Sequence, residues 1–148
     1  MKIHGANAIA KALDKLPDEL KKGGERRVLA AGAKPIVKAA RGKVRKDSGN
    51  LKKSLGSKVK MIKGVRTARV GARTGFGKMV ERDGRMVYSK PTNYAHLVEY
   101  GTSRTAAKPF IRPAVDNTKN EVVQAMSEGL SKHLTSAVKR VKARRRRR

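Results

Sequence analysis

This sequence predicts an α+β fold. Apolar residues recur at helical spacing near both ends, and the segment between them reads as short alternating strands broken by glycine turns. In the first stretch, Ile3, Ala6, Ile9, Leu13, Leu16 and Leu20 form one apolar stripe on a helix. Pro17-Asp18-Glu19 suits the start of a second helix, because proline tolerates the first turn and acids favour its positive end. Gly23-Gly24 weakens that helix. The period resumes through Val28, Leu29, Gly32, Ile36, Val37 and Ala40, with a bend expected near Pro35. This region reads as a helix packed on a sheet, and a subunit-contact helix fits the same pattern.

Asp47-Ser48-Gly49 is a turn signal, and Asp47 or Ser48 could cap a short helix through Leu55. Strands follow at Lys58–Met61 and Val65–Val70 around Gly64, and at Met79-Val80 and Arg85–Tyr88 around Asp83-Gly84. Gly71 to Lys78 is a glycine-rich basic loop, either a plain connector or a surface facing an anionic partner. Its glycine spacing matches neither a dinucleotide nor a phosphate-binding fingerprint. A long C-terminal helix is expected from Val115, Val122, Met126, Leu130, Leu134, Val138 and Val141, its stripe forming core. The final ten residues carry eight cations, repel one another, and should stay disordered until they meet a polyanion.

Asn93 to Asp116 is the stretch around which the chain is organised. Tyr94–Tyr100 is a short apolar turn that stops at Gly101, and a small basic run that looks mobile extends from Thr102 to Lys108. Pro109-Phe110-Ile111-Arg112-Pro113 then stiffens the backbone before a helix, with Pro113 in its first turn. Polar loops seldom carry the best aromatic anchors of a chain. Tyr94, Leu97, Tyr100, Gly101, Phe110, Ile111 and Pro113 are therefore expected to fix this loop to the core.

YAHLVEYGTS followed by AKPFIRPAVD resembles the tail-completion, or neck, protein family of long-tailed bacteriophages. Asp47-Ser48-Gly49-Asn50-Leu51-Lys52-Lys53-Ser54-Leu55 resembles the segment that joins the family's first long helix to its sheet. The resemblance rests on the joint order of these motifs and covers nearly the whole chain. It implies an α+β fold in which N-terminal helices and a long C-terminal helix pack on a small antiparallel sheet. It is compatible with one domain over residues 1–138 and a basic tail over 139–148. It further implies a homo-oligomeric ring, six-fold, between a head-closure or connector protein and a tail terminator or tail tube. Thr102, Ser103, Arg104, Lys108 and Arg112 would then touch a neighbouring subunit or the tail. Arg73, Lys78, Arg144, Arg145, Arg146, Arg147 and Arg148 would face packaged double-stranded DNA.

Composition supports part of this independently. The chain has 38 Lys and Arg against 11 Asp and Glu, a net charge of +27. Such a protein attracts polyanions, with an affinity that falls steeply with salt. With few aromatic side chains for base stacking, its contacts would be to phosphate and independent of sequence. A free nucleic-acid-binding protein of ribosomal or nucleoid type has the same composition, but it leaves the apolar anchors around HLVEYGT and KPFIRPA unexplained.

No cysteine is present, which excludes a disulfide framework and thiolate zinc sites. No apolar run is long enough to span a membrane, and the first residues lack a secretory pattern, so synthesis in the host cytoplasm is expected. His4, His96 and His133 fall in separate segments, and the acids form no catalytic pair. The expectation is a non-enzymatic protein without cofactor or metal. His96 and Glu99, three residues apart on a helix, could share a hydrogen bond.

Overall fold

The computed structural model describes residues 5–17, 21, 23–45 and 48–145. Its elements, in order, are α1 (Ala6–Asp14), α2 (Gly24–Lys43), α3 (Asn50–Ser54), β1 (Leu55–Ile62), β2 (Val65–Ala72), β3 (Lys78–Arg82), β4 (Arg85–Ser89), α4 (Pro91–Tyr100), α5 (Ile111–Asn117) and α6 (Lys119–Arg145). The fold is α+β. Ile3, Leu20, the expected helix start at Asp18-Glu19 and the possible cap Asp47 lie outside the described residues.

The chain forms two compact units. One comprises Met1–Pro35, Val59–Ala68 and Lys119–Arg148; the other comprises Ile36–Lys58 and Arg69–Thr118. In the first unit, α1, the N-terminal part of α2 and α6 bury Leu13, Val28, Ala33, Val122, Met126, His133 and Ala137. Small residues bring α2 and α6 together. A Cβ on Gly32 would fall 2.5 Å from Met126 Cγ, and one on Gly24 would fall 2.9 Å from the His133 ring. Gly24, read from sequence as a weakness, is the place where the His133 ring reaches the backbone of α2. His133 Nδ1 lies 3.4 Å from Arg27 Nη1. Arg66 Nε donates to Glu25 Oε2 at 2.8 Å, a largely exposed pair that contributes about 0–1 kcal/mol.

The buried face of α6 departs from the expected stripe. Val122 and Met126 are buried, but His133 and Ala137 take the inner positions beyond them, while Leu134 is half-buried and Val138 exposed. A run at strict spacing of four gains about 40° per step on a helix of 3.6 residues per turn, so it leaves the buried face within a few steps. The structure also breaks the expected long helix. Thr118, at φ −112°, separates α5 from α6, and its hydroxyl donates to Ala114 O at 2.8 Å. α6 continues through Arg145, past the domain end expected at residue 138, over Ala, Lys and Arg residues that propagate helix well.

The second unit has a core of Ala40, Val44, Leu51, Leu55, Phe110 and Ala114, with Tyr94, Ala95, Val98 and Ile111 packed against it. α3 is held from several sides. Asn50 is buried, and its Nδ2 donates to Phe76 O at 3.0 Å and to Ser89 O at 3.4 Å. Arg41 Nη2 donates to Leu55 O at 2.7 Å, just past the helix. Gly49, at φ +68°, is the N-cap, not Ser48. Ser48 Oγ accepts only a long bond, 3.4 Å, from the Asn50 N–H.

The single small sheet expected from sequence is two separate two-stranded sheets, β1-β2 and β3-β4. Each closes through a two-residue turn with both residues at positive φ, Lys63-Gly64 (48° and 76°) and Asp83-Gly84 (50° and 70°), the twist that tight hairpins favour. β3 and β4 pair antiparallel, with Met79 opposite Tyr88, Val80 opposite Val87 and Glu81 opposite Met86. The expected glycine-rich loop is shorter than residues 71–78, because β2 extends through Ala72 and Arg73 N–H bonds Ser54 O at 3.0 Å.

Candidate functional site

The expected turn at residues 94–100 is the body of a ten-residue helix, α4, opened by buried Pro91. It stops at Gly101, φ +78°, where a Cβ would fall 2.8 Å from Ala107 N and 2.9 Å from Thr105 O. A side chain there would meet both a left-handed backbone and the returning chain, so the position requires glycine. The loop beyond it is exposed but tethered. Thr102 N–H donates to Thr105 O at 2.9 Å, and Thr102 Oγ1 accepts from the N–H groups of Arg104 and Thr105 at 3.2 and 3.0 Å. Lys108 N–H then donates to Val98 O at 2.8 Å, which seats the chain for Pro109 and Phe110.

Glu99 is the residue that joins the two halves of this stretch. It is buried; its Oε2 accepts from the N–H groups of Phe110 (2.7 Å) and Ile111 (2.9 Å), and its Oε1 accepts from Arg112 N–H (3.0 Å). Those N–H groups open α5 and have no partner within the helix. Glu99 therefore caps, from another element, a helix whose own N-cap residue, Phe110, has no capping side chain. The sequence expectation paired Glu99 with His96. His96 is instead exposed, and the carboxylate points to the backbone of α5.

Burial pushes the Glu99 carboxyl upward, but its three backbone hydrogen bonds and the Arg112 charge outweigh that and hold it below its ordinary value of 4.5. The folded state thus binds a proton less readily than the unfolded state. Glu99 contributes its full stabilisation above that ordinary value and loses it as pH falls through the depressed folded value. Urea midpoints followed from neutral pH into acid should decline for the native protein with a component that Glu99→Gln lacks. Parallel declines would refute this assignment.

The expected anchors divide between two faces of α4 and the start of α5. Phe110 is 1% exposed and central to the core. Tyr94, Ile111 and Pro113 are half-buried. Leu97 and Tyr100 are not anchors: they are 42% and 64% exposed. Positions 94, 95 and 98 make up the face turned to the core, and 97 and 100, one turn apart, lie on another. Tyr100 instead carries the Arg112 guanidinium over its ring at 4.5 Å. Thr102, Ser103, Arg104, Lys108 and Arg112 are all exposed.

The residues expected to face DNA are divided between the two units. Arg73 is engaged within the second unit: its guanidinium stacks on Phe76 at 4.8 Å, and Nε donates to Ser54 O at 3.4 Å. A Cβ on Gly56 would fall 2.5 Å from the same Nε, so the arginine lies across that glycine. Lys78 is exposed at the start of β3. Arg144 and Arg145 belong to the last turn of α6 in the other unit, and Arg146 to Arg148 lie outside the described residues.

Two open grooves flank the 94–110 stretch. One, about 520 Å³, is lined by Lys43, Arg45, Lys52, Arg82 and Lys108 around Val44, Leu51, Tyr94, Val98 and Phe110. The other, about 430 Å³, runs between the β3-β4 hairpin and α4, over Val80, Val87, Leu97 and Val98. Among the described residues, no group of His, Asp and Glu side chains could hold a metal ion, and no helix is long and apolar enough to cross a membrane.

No curated protein and no solved structure matches the chain. A family model does match, over residues 7–101, and its description reads "Bacteriophage HK97-gp10, putative tail-component". The matched span holds α1 to α4, including Gly49, Asn50 and Glu99, and ends at the glycine that closes α4. The chain thus belongs to the HK97-gp10-like family of bacteriophage tail components.

Proposed function

We propose that this tail component acts at the neck of the virion. Copies form a six-fold ring between the head-closure protein and the tail terminator, complete the tail, join it to the head, and turn a basic surface toward the packaged DNA. The work is architectural and not catalytic. The observation that carries this reading is the apolar surface left uncovered on β3-β4. Met79, Met86 and Tyr88 are 51%, 62% and 56% exposed, and the pairing register sets all three on one face of the hairpin. A two-stranded hairpin is marginally stable by itself. Clustered large apolar side chains on such an arm mark a contact surface.

A ring requires each subunit to offer two different surfaces that meet head to tail. The hairpin face serves as one. The exposed 102–108 loop, with Tyr100 and Arg112 stacked beside it, serves as the other. A weak, dispersed cationic lining suits a channel that must release its DNA, since each phosphate contact adds to the salt-sensitive grip. Family membership in a tail component favours this reading over a free nucleic-acid-binding protein.

Electron microscopy of lysates from a phage lacking this gene tests it. Filled heads and finished tails should lie unjoined, and added purified protein should join them. A Met79→Lys, Met86→Lys double variant should keep its circular dichroism spectrum yet fail to join them. Normal virions without the gene would refute the neck role, and full rescue by the double variant would refute the hairpin contact.

A further inference from the structure

The charged groove of the second unit meets the reading above only at Lys108, the last residue of the 102–108 loop. Four of its cations come from three separate parts of the chain: Lys43 and Arg45 at the end of α2, Lys52 on α3, and Lys108 in the loop after α4. Among the described residues, its lining includes no carboxylate. Like charges gathered round a concave surface raise one another's energy, and the cleft focuses their field, so an anionic occupant is favoured. Nor is the floor polar. Val44, Leu51 and Val98 contribute apolar surface between the cations.

We propose that this groove docks an acidic segment of another protein, one that carries carboxylates for the rim and an apolar side chain for the floor. A phosphodiester backbone would match the charges but place no apolar group on the floor. A second copy of this chain cannot be the occupant either. Its 11 acids are scattered, and its closest pairs, Asp18-Glu19 and Glu81 with Asp83, sit among lysines and arginines. Charge selects the partner and speeds encounter, while the apolar floor adds residence time. The proposal concerns the free protein in solution and stands whether or not the protein lies at the neck.

The test uses the full chain with three fluorescent probes of equal charge: a glutamate-rich peptide containing leucines, an all-glutamate peptide, and a DNA duplex. The leucine-containing peptide should bind most tightly at physiological salt. Arg45→Glu with Lys108→Glu should weaken it at least about tenfold, whereas Lys58→Glu with Lys60→Glu, an equal change of net charge elsewhere, should alter it no more than about threefold. Backbone resonances of Gly49, Lys52 and Lys108 should shift on titration of the native protein, a readout that does not depend on any variant folding. Peptide affinity indifferent to the groove substitutions, or no shift at those positions, would overturn the proposal. So would tighter binding of the duplex with the same dependence on Arg45 and Lys108, which would make the groove a nucleic-acid site.

Discussion

Glu99→Ala should destabilise the protein by about 3 kcal/mol, an effect larger than the loss of an ordinary helix cap. The carboxylate accepts from the N–H groups of Phe110, Ile111 and Arg112 at 2.7 to 3.0 Å, and it is itself buried. Charge-assisted bonds of this length are the stronger kind. The larger cost is on the donor side, because the truncated site leaves three N–H groups at the start of α5 without acceptors, and the Phe110 N–H is buried. Glu99→Gln should cost less, because one amide oxygen still accepts, while its NH₂ faces donors. Urea denaturation followed by circular dichroism measures both variants. A loss under about 0.5 kcal/mol for the alanine variant would show that water replaces the carboxylate. Amide exchange at Ile111 and Arg112 should accelerate before that of α2, since the variant releases α5 first.

Phe110→Ala should cost about 3–5 kcal/mol, the range for emptying a fully buried aromatic site. Phe110 is 1% exposed, within a core otherwise built from alanine, valine and leucine. No other aromatic side chain in that core is fully buried, so little neighbouring bulk can collapse into the cavity. The same residue presents the N–H that Glu99 holds, so side-chain and backbone terms act together. The Phe110→Ala, Glu99→Ala double variant should therefore lose less than the sum of the single losses. Strict additivity would separate the core anchor from the cap. Tyr100→Ala provides the contrast: at 64% exposure its loss should stay within a few tenths of a kcal/mol, apart from its stack on Arg112.

Much of the fold was legible because it is specified locally. The two hairpins announce themselves in Gly64 and Asp83-Gly84, since those residues reach positive φ at low cost. The periodicity of Val28 to Ala40 survives as one continuous helix through Pro35. The family's motifs are legible for the same reason: Gly49 and Gly101 both occupy left-handed backbone that few other residues tolerate.

What sequence could not decide depends on contacts between distant positions. Glu99 lies eleven residues before the first N–H it holds, so no local capping pattern reveals it. The burial of Asn50 has no local signal, because Phe76 and Ser89, distant along the chain, bring their carbonyls to its amide. Which turn of α6 is buried depended on Gly24 and Gly32 of α2, not on the hydrophobicity of Leu134 or Val138. Arg73, one of many cations in sequence, was assigned to Phe76 and Ser54 by packing alone. The sequence by itself determined the fold class, the hairpin turns, the surplus of positive charge and the family. Tertiary structure decided which polar groups were spent inside and which surfaces stayed open, because burial and hydrogen-bond partnership are properties of neighbours in space.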